Sequence, residues 1–317
     1  MFATRCLTLS CGRILRNQFT RNLTSSEVAP NAGKDEIVEK TEEKTIVVSQ
    51  DGAIRLIGIN RPAKKNCLDA ATAQLLSEAL DDFEQDENST VGILHGIGGS
   101  FSSGFDLDEI AKSNVDSEEG FPHFGPLSNR DSLVKKPLIG SISGYAVGAG
   151  FELALMCDLR IVEETASMGF LNRRMGIPIM SGGTVRLPAI IGYSRAMDMI
   201  LSGKLINADQ AYQWGLTNLV VACGSALGQC IVTAHTLMKY PQKALLADRM
   251  SAHYAAFSSK QIDEALQFEK DNSSHILLEE GVEGAQRFVD GFGRHGKSKD
   301  IKYHDYTNFR ELNKDMV

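Results

Sequence analysis

The stretch GYAVGAGFELALMCD (144–158) places a run of small residues, Ala146-Val147-Gly148-Ala149-Gly150, directly before an apolar segment with one acid, Glu152, near its start. The run holding Leu138, Ile139 and Ile142 is β-prone through to Val147, and ELALMCD is helix-prone, so the glycines mark a strand-to-helix junction. Two readings fit. One is a tight turn followed by an acid that the positive end of the helix dipole favours. The other is a trap for a developing oxyanion. Glycine lets backbone N–H groups come close to a ligand, and a helix N-terminus adds unsatisfied donors. In that second reading Glu152 is an acid/base beside the trap.

A second turn has the same chemistry. GGSFSSGFDLDEI (98–110) follows the short apolar run VGILHGI, stays small and polar through Ser102-Ser103-Gly104, and becomes apolar again at Phe105 and Leu107. Strand–glycine–helix junctions are common, so either turn alone is a weak signal. Two of them in one domain make a two-donor oxyanion hole worth considering.

Outward from these turns, TIVVSQDGAIRLIGIN reads as a β-hairpin about Asp51-Gly52, ended by Arg61-Pro62. ATAQLLSEALDDFEQ then sets Leu76, Leu80 and Phe83 on one helical face. VGILHGIG, PLIGSISGYAV and DLRIV read as further strands, and short strands alternating with helices indicate an α/β layered fold. Past about residue 245 the β signals fade, and SSKQIDEALQFEKDNSSHILLEEGVEGAQRFVDGF reads as helices with an acidic face.

The ends differ from the body. Residues 1–26 contain Arg5, Arg13, Arg16 and Arg21, many Ser, Thr and Leu, and no acid before Glu27. That composition reads as a mitochondrial transit peptide, hence a matrix location, with a disordered basic tail as the plainer alternative. Residues 27–44 read as a charged linker. The expected division is then a core over 45–245, a helical region over 246–300 and a tail over 301–317.

The 317 residues contain 33 Lys and Arg against 40 Asp and Glu. Without the four arginines of the presequence, 29 basic residues face the same 40 acids, a net charge near −11. An acidic body argues against nucleic acid as a partner, and no apolar run approaches the roughly 20 residues that span a bilayer. Cys6, Cys11, Cys67, Cys157, Cys223 and Cys230 lack metal-ligand spacing and read as reduced thiols, so neither a metal site nor a disulfide framework is expected.

The order NRPAKKNCLD, FSSGFDLDEI, GYAVGAGFELALMCDLRI and GIPIMSGGTVRLPAIIGYSRAMDMILSGKLINADQAYQWGLTNLVV resembles the crotonase (enoyl-CoA hydratase/isomerase) superfamily over roughly residues 45–300. The resemblance implies an α/β fold, a crotonase-type ββα spiral with a C-terminal helical oligomerisation region, assembled as a homotrimer or homohexamer. It also implies an acyl-CoA thioester as substrate, with coenzyme A part of that substrate and no separate cofactor.

Residue by residue, it implies that the backbone N–H groups of Phe105 and Ala149 grip the thioester oxygen and that Glu152 is the first catalytic glutamate. The segment Phe105, Asp106, Leu107, Asp108 is expected to run along the CoA arm. Ala63, Lys64 and Lys65 match the region that contacts the CoA nucleotide, with a solvated loop as the other reading of the two lysines. The pattern's second catalytic glutamate falls at Asn172, among the substrate-binding positions, and an amide does not transfer protons at neutral pH. Arg173 and Arg174 read either as a clamp for an anionic acyl group or as surface charges. The implied function is enoyl-CoA hydration. Decarboxylation, thioester hydrolysis and a catalytically weakened acyl-CoA-binding partner stand as alternatives.

Overall fold

The alternation in TIVVSQDGAIRLIGIN produces the expected hairpin. Strand β1 (Ile46–Asp51) runs antiparallel to β2 (Ile54–Ile59), with Asp51 opposite Ile54. These coordinates come from a computed structural model that describes residues 44–113, 134–240, 242–257 and 277–292. The expected presequence (1–26), nearly all of the expected linker (27–44) and the tail (301–317) lie outside the described residues.

Four more strands add to β2 in parallel: β3 (Val91–Gly96), β4 (Leu138–Ile142), β6 (Leu159–Glu163) and β9 (Leu219–Val221), in the order β1-β2-β3-β4-β6-β9. A parallel sheet is covered on both faces, so each strand divides its side chains between two cores. Ile57, Leu94, Leu138 and Val162 meet Leu76, Leu80 and Phe83 of helix α1 (Ala70–Gln85). Ile54, Ile93, Ile139 and Ile161 meet Ala226, Cys230 and Ala234 on the other face. Leu76, Leu80 and Phe83 are 0% exposed, and burying each contributes about 1.5–3 kcal/mol.

The run from Leu138 to Val147 is two strands rather than one. After β4 the chain bends at Gly144 (φ +51°) and enters β5 (Tyr145–Val147). This strand belongs to a smaller sheet with β7 (Ser167–Gly169) and β8 (Leu205–Asn207). Apolar content alone carries no sign of a change of sheet, which is why the run reads as continuous.

Helices α2 (Leu107–Lys112) and α3 (Ala149–Met156) follow the two glycine-bearing turns. Helices α4 (Gly183–Ile191), α5 (Tyr193–Ser202) and α6 (Ala208–Gln213) lead to α7 (Ala226–Met238), which carries the second core. Helix α8 (Gln242–Phe257) spans the expected division at 245–246. A π-helical turn (Leu277–Gly281) then leads into α9 (Val282–Val289). Leu277 and Ala285 pack with Ile110 of α2 and Ile177, and the half-buried Phe105, Leu107, Met175 and Met180 lie against them. Among the described residues no helix is long and apolar enough to cross a membrane.

Candidate active site

The two glycine-bearing turns are stitched together along their backbones. Phe101 N–H donates to Ser143 O (2.8 Å), Ser102 N–H to Tyr145 O (2.9 Å) and Val147 N–H to Ser102 O (3.0 Å). On its other side the 102–106 segment pairs with the loop after β2. Leu68 N–H donates to Gly104 O and Asp106 N–H to Leu68 O, each at 2.7 Å. Contact this close excludes side chains. A Cβ on Gly104 would stand 2.8 Å from Val147 O and 3.0 Å from Ala149 N, and one on Gly150 would stand 2.4 Å from Ser102 O.

Peptide geometry bears on the two expected donors. Across a trans peptide the carbonyl and the next N–H point opposite ways. Since Gly104 O faces Leu68, the Phe105 N–H points away from Leu68, and Gly104 itself abuts Ala149 N. Ala149 is the first residue of α3, where an N–H has no intrahelical acceptor. The structure thus brings Phe105 and Ala149 together at one place.

Glu152 lies on the first turn of α3 and is 2% exposed. Its Oε1 accepts hydrogen bonds from Ser181 N–H (2.7 Å) and Gly183 N–H (3.0 Å) at the start of α4. The carboxylate is therefore oriented from outside its own helix. The GGTVRLP segment (182–188) thus orients the acid through backbone donors, a role its sequence alone does not announce. The signal available was the helix start itself, whose first N–H groups need acceptors.

Asn172 sits in a 3₁₀ turn (Leu171–Met175) and is 8% exposed. Its Nδ2 donates to Ile177 O (2.9 Å) and Pro178 O (3.2 Å). Arg173 Nε donates to Ile200 O at 3.4 Å, so this guanidinium leans on α5.

The expected nucleotide loop is already occupied by charge partners. Lys64 Nζ bonds the Asp106 carboxylate (2.9 Å) and that of Asp108 (3.0 Å), and Arg61 also reaches Asp106 (2.9 Å). Lys65 rests over the Tyr145 ring, 4.6 Å from its centroid, and Ala63 is exposed in the 3₁₀ turn Pro62–Lys64. Burial tends to raise the Asp106 carboxyl, but the bonds from Lys64 and Arg61 outweigh it and hold the group below its usual range. The Asp106 side chain is thus turned into the fold rather than along a substrate arm.

Two further buried residues that hold the surrounding backbone escape a reading by motif. Asn66, 0% exposed, donates to Ile97 O and Ser100 O and accepts from Arg61 N–H. Buried Arg160 donates to the carbonyls of Ala154, Cys157 and Leu216, which closes the C-terminal end of α3. Burial pushes the Cys67, Cys157 and Cys230 thiols up to about 12, where they are protonated and inert.

A family model described as enoyl-CoA hydratase/isomerase matches residues 49–293 of this chain. A carnitinyl-CoA dehydratase of Salmonella enteritidis is 30% identical over 254 residues, 78% of this chain and 96% of its own. A probable enoyl-CoA hydratase of Mycobacterium bovis is 30% identical over 251 residues, 78% of this chain and 95% of its own. Of solved structures, an enoyl-CoA hydratase from Mycobacterium tuberculosis superposes with a TM-score of 0.65 at 31% identity, covering 74% of this chain and 99% of the other. One from Mycobacterium avium subsp. paratuberculosis gives 0.68 at 25% identity, covering 78% and 96%.

Proposed function

Because the chain belongs to the enoyl-CoA hydratase/isomerase family of the crotonase superfamily, we propose that it is an acyl-CoA enzyme of hydratase type working in the mitochondrial matrix. The observation that carries this reading is the abutment of the two turns at Gly104 and Ala149, three residues before the buried Glu152.

In the proposed reaction the two N–H groups hold the thioester oxygen as it gains charge, where preorganised donors act most strongly. Glu152 takes a proton from water as that water's oxygen bonds to Cβ, leaving an enolate. The enolate must then gain a proton at Cα. The amide at 172 has none to give, so the proton returns from Glu152, and hydration of a simple enoyl-CoA is slow. The thioester itself makes the enolate accessible, so the reaction draws on no metal or redox group.

The half-buried Phe105, Leu107 and Met180 beside the site suit an apolar acyl group. The C-terminal helices are proposed to pack between copies in a trimer or hexamer, which sedimentation of the full chain would measure. Single-turnover assays on a small panel of CoA thioesters test the main reading. Conversion of crotonyl-CoA to its 3-hydroxy product supports it. Release of free CoA or of CO₂ instead would replace it with hydrolysis or decarboxylation.

A further inference from the structure

The amide of Asn172 is held with its polarity fixed. Both donor bonds of Nδ2 go to main-chain carbonyls, those of Ile177 and Pro178. A flipped amide would set Oδ1 against those same two oxygens, so Oδ1 must face the other way. There it is buried and has no hydrogen-bond partner among the described residues, which is uncommon for a buried side-chain acceptor in a folded protein.

What Oδ1 faces is the junction of the two turns. Beyond its chain neighbours, a Cβ placed on Gly148 would make ordinary van der Waals contact with Asn172 Cβ and Oδ1 at 3.9 Å and with Gly104 Cα at 4.0 Å. A gap that one carbon atom would fill therefore lies between the turns that carry Ala149 and Phe105, and a buried acceptor lines it.

Resting on the acyl-CoA reading of this site, we infer that Asn172 is a specificity-determining residue of the acyl pocket. Its Oδ1 takes a hydrogen bond from an O–H on the acyl chain next to the thioester and turns away acyl groups with a carboxylate there. A hydroxyl brings the hydrogen that the amide oxygen lacks. A carboxylate brings only lone pairs, and it would meet Oδ1 with the amide's own donors committed elsewhere. The nearby Arg173 Nε is bonded to Ile200 O. The amide does not titrate, so this preference belongs to the fold at every pH where the protein is stable.

The test is calorimetric binding to the full-length Glu152→Gln variant, in which turnover does not blur the isotherm. The probes share one chain length: butyryl-CoA, 2- and 3-hydroxybutyryl-CoA, their O-methyl ethers, and methylmalonyl-CoA. At least one hydroxy ester should bind about 5–30-fold tighter than butyryl-CoA, the range for one hydrogen bond to a buried acceptor. Its methyl ether, with the oxygen but not the hydrogen, should lose that gain, and methylmalonyl-CoA should bind weakest. Added to the same background, Asn172→Leu should abolish the hydroxy preference while butyryl-CoA still binds; if that variant does not fold, the probe series decides alone. Hydroxy esters and ethers that bind alike, or methylmalonyl-CoA as tight as butyryl-CoA, would overturn the inference and leave the acyl-CoA reading standing. Failure of every thioester to bind would remove that reading, and the inference with it.

Discussion

Glu152 on α3 accepts the Gly183 N–H of α4 at 3.0 Å, so the carboxylate of one helix closes the N-terminus of another. Glutamine keeps an acceptor oxygen of the same reach. Glu152→Gln is therefore expected to fold with a melting temperature near that of the wild type. Its turnover should fall by about 10²–10⁴-fold, the usual contribution of a general acid–base group. Rate measurements beside a thermal melt check both halves.

Ala149→Pro removes one N–H at the first position of a helix, the place where proline is best tolerated. Loss of one oxyanion donor typically costs about 10²–10³ in rate. We expect a folded protein by circular dichroism with activity reduced on that scale. Unchanged turnover in the folded variant would remove Ala149 from the site.

Asn172→Glu supplies a carboxyl where the family pattern expects one. Hydration of crotonyl-CoA should rise by about 10²–10⁴-fold. The carbonyls of Ile177 and Pro178 lose their donors in the exchange, which costs about 1–3 kcal/mol of stability. Faster turnover in a less stable protein is the combined signature. A wild-type rate of about 10² s⁻¹ or more would show that another group already delivers the proton to Cα.

Asp106 makes stability depend on pH in one direction. Its folded-state carboxyl is held below its usual range, so its contribution is fully present above the unfolded value near 3.9. That contribution is lost as pH falls through the lower folded value. The Asp106 share of stability should stay flat from neutral pH down to about 5 and decline below 4. Asp106→Asn should cost about 1.5–3 kcal/mol at pH 7, the range for hydrogen bonds to charged groups, and flatten the acid limb of the denaturation profile.

Deleting residues 1–26 removes the four arginines of the proposed presequence. The described residues all lie in a separate compact unit, 43–317, so the truncated chain should fold and keep its activity. In cells a fluorescent fusion of it should stay outside mitochondria while the full-length fusion enters. Equal import of the two would overturn the matrix assignment.

Fold and family were legible because their signals are local. The hairpin, the α1 face and the two small-residue turns are spacing patterns, and four ordered motifs placed the chain in a family that the comparisons bear out. What was not legible depends on tertiary neighbours. Nothing local to Lys64 says that Asp106 and Asp108 will occupy it. Nothing local to Glu152 says that the start of α4 will supply its donors. The division of 138–147 between two sheets was hidden for the same reason, since both halves are equally apolar.

The backbone bonds between Ser102, Tyr145 and Val147 also bear on how the protein gains and loses activity in time. They join segments far apart in the chain, and closing such a loop is an entropic step that local helix formation does not require. During refolding, catalytic competence should lag the far-UV helical signal and return with the last slow phase. In the native state, a transient opening of that one ladder would separate Phe105 from Ala149, the proposed donors, while the α1 core stays closed. Mild denaturant should therefore silence the enzyme before it melts it, so that inactivation and global unfolding trace two curves.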